Sequence, residues 1–462
     1  MLTERQHAPL IPETIRTLTL VGTVITNALN TNTTSSDTDG QHIVIVGGGM
    51  VGISLALLIS KWVSQSLSKN KNSRRYRITL IEKFSLKATP KAELKQPSFD
   101  ARSTALSAGS MKIFNELGCW QKIQKLAEPI KTIHVSDKGH VANVQINAQD
   151  FDRDAVGYLV ENRHLGSVLL NELKQSLVEC LAPVEVISCE AKKNGYKLAL
   201  KNSAEVSDSV TESLHADLLI VADGAESELR KKLGIDAHLT DYKQSALIAN
   251  VALAQPHNNI AYERFTDTGP IALLPLSASQ FESQSSIGDN RAALVWIIPR
   301  DQQENYLNES NENLLARLQD RFGFRAGQFL SIGLRQAYPL KLIQAAEQVR
   351  SNLVVIGNAA HFLHPVAGQG FNLALRDCHQ LVNCLAQAGT ENKLLGELSV
   401  LKQYLDAQRF DQNSTIAVTD ALVKIFSSAQ LSKALVRQLG LLSLTASTSV
   451  KQRFATKMMG MG

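Results

Sequence analysis

Apolar positions fall in short runs separated by polar stretches. Ile43 to Val46 is a run of β-branched residues that ends in three glycines. Such a run reads as a buried strand. Met50 to Leu67 carries helical spacing, Lys69 to Arg77 is a basic loop, and Arg77 to Glu82 (RITLIE) is a second strand. Strand, helix, strand predicts a parallel sheet. Ala216 to Ala222 (ADLLIVA) and Asn352 to Ile356 are two more buried strands. The strands at 43–46, 216–222 and 352–356 are far apart in sequence, yet each runs into a Gly-containing turn. Turns of that kind are where a parallel sheet binds ligands.

Other segments fill in around these strands. Residues 102–128 and 162–180 carry helical spacing, and short strands are predicted in 130–160, at 183–189 and at 195–201. Ala246 to Leu253, Ile271 to Pro275 and Ala292 to Ile298 alternate or run as β-type segments, which predicts an inserted antiparallel sheet. From Gly370 onward the pattern is mostly helical. The expected fold is α/β, with four regions. Residues 1–41 form a flexible extension. Residues 42–240 and 335–400 form a discontinuous Rossmann-like domain on a parallel sheet. Residues 241–334 form a β-rich insert, and residues 401–462 form a helical C-terminus.

Length and composition narrow the class. At 462 residues the chain holds two or three domains, or one large core with a satellite. A charged share of 20% and a net charge of +5 are too mild for a nucleic-acid binder. The small basic excess suits an anionic membrane surface, and equally ordinary solubility. Apolar residues at helical spacing with Lys424, Lys433, Arg437, Lys451, Arg453 and Lys457 suit 416–460 either to docking on a membrane or on partner enzymes, or to a core-covering helical tail. Ile43 to Ser60 has the length of a membrane span, but its glycines argue for strand, turn and helix. Five dispersed cysteines without a CxxC suggest reduced thiols in a cytoplasmic protein, with peripheral association at the inner membrane face open.

Three motifs carry the chemistry. Gly47-Gly48-Gly49-Met50-Val51-Gly52 is a GxGxxG between strand and helix. Gly47 permits the tight turn, Gly49 lets a pyrophosphate approach the backbone, and Gly52 packs helix on strand. Glu82 ends the second strand, where an acid can bind ribose hydroxyls, although its offset exceeds the usual 20 or so residues. The second motif is Asp223-Gly224, which taken alone reads as a helix-start turn. The third runs from Gly357 and Asn358 through His361, His364 and Pro365 to Gly368-Gln369-Gly370 and Asn372. Its glycines open a helix, and a helix N-terminus stabilises an electron-rich ligand.

Together the three motifs resemble the class A FAD-dependent aromatic hydroxylases, and within them the ubiquinone-biosynthesis hydroxylases. The finer likeness rests on Phe99 to Ser107 (FDARSTALS), Tyr262 to Phe265 (YERF), Gly269 to Leu276 (GPIALLPL) and His364 to Asp377. The resemblance covers about residue 42 to the C-terminus. It implies a p-hydroxybenzoate hydroxylase-like fold, FAD as cofactor and NAD(P)H as co-substrate. It also implies hydroxylation of a polyprenylated phenol with O2 through a flavin C4a-hydroperoxide. Gly47, Gly49, Gly52 and Glu82 are then expected to hold the ADP half of FAD. Arg102, Arg163, Asp223, Gly224, Asn358, Pro365, Gly368, Gln369, Gly370 and Asn372 are expected around the rest. Asn358 stands where the family usually has Asp, so hydrogen bonding survives and the charge is lost.

No side chain is assigned as acid or base, because the flavin carries the chemistry. His361 is a weak candidate for proton traffic, and no metal site is expected. Tyr262, Phe265, Leu273, Pro275 and Trp296 are candidates for the substrate pocket, with core packing as the alternative for each. Homo-oligomers, or association with other enzymes of quinone biosynthesis, are open. Two rival functions keep the flavin: a reductase or dehydrogenase, and a FAD-bearing organiser of a biosynthetic complex.

Overall fold

The computed structural model describes residues 40–69, 74–86, 96–100, 102–139, 143–203, 212–266, 269–277, 290–363, 368–426, 452, 456 and 459–460. In chain order, the elements used below are β1 (Gly40–Val46), α1 (Met50–Lys69), β2 (Arg75–Ile81), α2 (Asn162–Leu173), β3 (Leu218–Val221), β4 (Ala237–Leu253), β5 (Leu353–Val355), α3 (Gln369–Thr390) and α4 (Leu398–Phe426). β1 begins at Gly40, inside the segment expected to be a flexible extension. The basic positions from Lys433 onward lie outside the described residues.

A six-stranded sheet has the order Val349–Arg350, β5, β3, β1, β2, Val178–Leu181. β1 pairs parallel with β3, and β3 with β5. The three sequence-distant apolar runs thus form one sheet. They are buried because both faces are covered. One face packs on α1, α2 and α3 through Ile43, Ile45, Leu218, Ile220 and Val354. The other packs on the three-stranded sheet 184–192, 195–202 and 212–216 through Val44, Leu219 and Val355. A parallel strand covered on both faces needs apolar residues at every position, which is why these runs do not alternate. The span-length stretch 43–60 is accordingly β1, a turn and the first half of α1, with Gly52 to Ser60 buried.

The second large sheet has nine strands. Its order is 361–362, 336–345, β4, 291–299, 271–276, 260–265, 132–137, 143–147, with 329–332 also paired to β4. It therefore draws strands from outside the 241–334 segment. One face packs on the helices Gln303–Asn308 and Asn311–Phe322. The other looks toward the first sheet across a small sheet of 103–107, 157–161 and 127–130.

Two stretches expected to be helical are mixed. Residues 103–107 are a strand paired with 157–161, and helix starts only at Ala108. Helix α2 stops at Leu173, and 178–181 adds a parallel edge strand next to β2. In both places strand pairing with a distant segment overrides the local helical spacing.

Candidate flavin site

Three turns lie side by side at the carboxyl ends of β1, β3 and β5. At the first, the backbone of Gly47 has φ +114°, and its N–H donates to Ile81 O at 2.8 Å. A Cβ at Gly47 would stand 2.4 Å from Ala222 O, and one at Gly52 would stand 1.8 Å from Gly47 O. Both glycines are thus required for α1 to leave the sheet where it does. Glu82 is buried beneath this turn. Its carboxylate accepts from Gly48 N at 2.5 Å and from Phe84 N at 2.8 Å. Burial pushes its acid above the usual range, and those backbone bonds oppose the rise. Gly49 lies at the start of α1 beside Ser98.

At the second turn, Asp223 accepts from Leu229 N at 3.2 Å through Oδ2. Its Oδ1 is buried and has no partner among the described residues. Burial raises its acid as well. Gly224 has φ +98°, and a Cβ there would meet nothing within 4 Å. Arg230 donates to Ala359 O at 2.6 Å, joining the second turn to the third.

In the third motif, a Cβ at Gly357 would stand 2.9 Å from Val51 of α1. Asn358 is exposed. Gly368 caps α3 in the left-handed region, with a position for Cβ 3.2 Å from Ala105 Cβ. Gln369 is buried, and Gly370 borders open space. Pro365, like His364, lies outside the described residues.

Several expected ligands are engaged within the protein. Asn372 accepts from Ser107 N (2.9 Å) and Ser110 Oγ (2.7 Å) and donates to Ala105 O (2.8 Å) and Gly368 O (2.7 Å). All four of its hydrogen-bonding positions are occupied, so it braces the turn before α3. Arg102 donates to Asp100 at 2.6 Å and lies over the Tyr338 ring at 4.8 Å. Arg163 donates to Glu161 at 2.6 Å, and Glu161 also receives buried Arg291 at 3.2 Å. His361 is buried against Asp377 (Nε2 to Oδ2, 2.7 Å), whose other oxygen accepts from Gln412 of α4 at 2.9 Å. The weak proton-traffic candidate is thus part of a packed pair. Among the described residues no three metal-binding side chains converge.

The substrate candidates divide between the two faces of the nine-stranded sheet. Leu273 and Trp296 lie in the core between the nine-stranded sheet and its helices, with Trp296 edge-on to Tyr306 at 5.1 Å. Tyr262 packs against the same core, edge-on to Phe322 at 5.8 Å. Pro275 shares that face by alternation with Leu273, and Phe265 lies on the other. The side toward the flavin motifs carries Leu274, Leu276 and Ala293, which pack with Leu159 and Ala105. Ala105 is the residue against which Gly368 sits. Alternation identifies two faces but not which one meets the site, and a shift of one residue exchanges them.

The orphaned Asp223 oxygen and the unobstructed backbone at Gly224 and Gly370 fit a hydroxyl-bearing, flat cofactor. Comparison with known proteins agrees. The profile of the FAD binding domain family matches residues 41–404.

The chain belongs to the FAD binding domain family.

This flavoprotein is 31% identical to ubiquinone hydroxylase UbiL of Rhodospirillum rubrum over 420 residues, covering 90% of this chain and 89% of that one. It is 28% identical to 3-demethoxyubiquinol 3-hydroxylase of Escherichia coli, covering 89% and 96%. Its fold matches the crystal structure of p-nitrophenol 4-monooxygenase PnpA from Pseudomonas putida DLL-E4, with TM-score 0.67, 17% identity and coverage of 91% and 99%. The α/β hydroxylase-type architecture and the FAD cofactor follow.

Proposed function

We propose that this flavoprotein hydroxylates the aromatic ring of a polyprenylated phenol in ubiquinone biosynthesis, with NAD(P)H as reductant and O2 as oxygen source. Near full-length similarity to two ubiquinone-pathway hydroxylases supports the reaction class. The observation that carries the substrate class is the apolar cluster of Leu159, Leu276 and Ala293 with partly exposed Leu274, joined through Ala105 to the Gly368 turn. An apolar wall beside a flavin turn suits a phenol ring with an isoprenoid tail.

In this reading the α1 N-terminus and Gly49 hold the pyrophosphate. Glu82 fixes the turn and keeps lone pairs for ribose hydroxyls, and Asp223 Oδ1 accepts a hydroxyl of the cofactor. The N–H groups at Gly368 to Gly370 face the electron-rich edge of the ring system. FAD, when bound, supplies the redox chemistry: electrons pass from NAD(P)H to O2, one oxygen atom enters the ring and the other leaves as water. The protein orients the phenol and keeps water from the reacting atoms through its apolar wall. The isoprenoid tail partitions into lipid, and a net charge of +5 favours work at an anionic membrane face.

The test is direct. Purified holoprotein should be yellow, and a short-tailed prenylphenol should raise NAD(P)H consumption and yield a product one oxygen heavier. Reduction of the phenol, or product formed without oxygen, would favour the reductase reading instead.

A further inference from the structure

Glu263 is the second residue of the signature Tyr262 to Phe265. It lies on strand Ile260–Phe265, between Ala272 and Val135 in register. Alternation sets it on the face of Ala261, opposite that of Tyr262. Ala261 belongs to an apolar cluster with Ile133, Val135, Leu274 and Met459. Leu274 continues that cluster to Leu276, Ala293 and Ala105, and so to the Gly368 turn. Glu263 therefore shares a partly exposed face with Ala272 and Leu274, and Leu274 leads along that face to the flavin turn.

Its carboxylate has no hydrogen-bond or ion-pair partner among the described residues. On the flanking strands, alternation puts Ala272, Leu274 and Leu276 on this face, and Ile133, Val135 and Asp137. Asp137 is the one ionisable group there. It is buried, has interactions of its own and sits in register with Phe265, two residues along. An acid alone on an apolar wall needs a reason, because a partnerless carboxylate destabilises the fold. The side chain keeps some accessible surface, yet the surrounding protein is dense enough that burial pushes its acid up to about 7.

The geometry points to Glu263 as the catalytic base that takes the phenolic proton of the substrate. The phenol O–H bond breaks, the proton passes to a Glu263 carboxylate oxygen, and the electron pair stays on the phenolic oxygen. The resulting phenolate is the electron-rich ring that accepts oxygen. Such a base is most effective when its own acid lies near working pH. This assignment rests on the hydroxylase reading above.

The experiment uses the FAD-loaded enzyme and a short-tailed prenylphenol, with Glu263→Gln and Glu263→Asp compared to wild type. Glu263→Gln should keep full flavin content and lose about 100-fold or more in kcat, while KM changes less. Glu263→Asp should fall between. In wild type, kcat/KM should rise through a limb near pH 7. In Glu263→Gln that limb should vanish, and rate should return as pH approaches the phenol's own pKa of about 10. The bound phenol should show the red-shifted ultraviolet band of a phenolate in wild type and a neutral phenol in Glu263→Gln. A flavin-loaded Glu263→Gln enzyme with wild-type kcat, or with the same pH limb, would overturn the assignment. So would a neutral phenol bound to wild type at pH 8. A wild type that binds and hydroxylates no prenylphenol would overturn the function itself, and this assignment with it.

Discussion

The two large sheets build the site by different means. In the parallel sheet the site is backbone: Gly47, Gly224, Gly357 and Gly368 turn with positive φ at or near strand ends, where no side chain fits or none obstructs. In the nine-stranded sheet the proposed substrate site is one face of side chains, from Ala261 and Glu263 through Leu274 to Ala293, while the opposite face is ordinary core. The first kind of site tolerates almost no substitution. The second can be altered one side chain at a time, which is where discrimination between related phenols is expected to reside.

The contrast can be broken at several points. Gly52→Val should have the largest effect, because the new Cβ would stand 1.8 Å from Gly47 O and the neighbour is backbone. Flavin content, read as the ratio of absorbance at 450 to 280 nm, should fall to about a tenth or less of wild type. Next come the two faces of one strand. Leu273→Ala, on the helix side, should cost about 2–5 kcal/mol in stability by denaturant titration and leave KM alone. Leu274→Ala, on the flavin side, should raise KM for a prenylphenol by about 5- to 30-fold. Equal effects of the two on KM would refute the division of faces.

Charge on the second sheet gives a smaller, pH-dependent effect. Glu263 has its acid raised in the folded state from the usual 4.5 to about 7. Between those values the folded state binds more protons than the unfolded, so this group lowers stability as pH rises through the window. Glu263→Gln should therefore melt higher than wild type at pH 8, by on the order of 1–3 kcal/mol, and match it near pH 4.5. The smallest effect is expected at exposed Asn358. Asn358→Asp should leave stability within about 0.5 kcal/mol and shift FAD affinity by less than tenfold, read by flavin fluorescence.

The same contrast explains what was legible in the sequence. A glycine turn after an all-apolar strand is a local signature, so the three motifs and their sheet could be read directly. For Tyr262, Leu273, Pro275 and Trp296, the choice between pocket and core packing is not legible locally, and the structure places them on the core side. Both faces of 271–276 and 291–299 are apolar, and only the helices over 303–322 decide which is core. The ties of Arg102 to Asp100, Arg163 to Glu161, and His361 to Asp377 and Gln412 likewise form only when the chain is folded. Asn372 stands out in the sequence by its place in a motif, and its four protein partners are what keep that motif in shape.

In the proposed reaction, oxygen from O2 enters a prenylated phenol at this flavin. The measurement is single-turnover incubation of the reduced, FAD-loaded protein with a prenylphenol under 18O2, followed by mass spectrometry of the product. The expected product is a hydroxylated ring carrying one 18O atom. Product carrying only oxygen from water, or product formed equally well without O2, would contradict it.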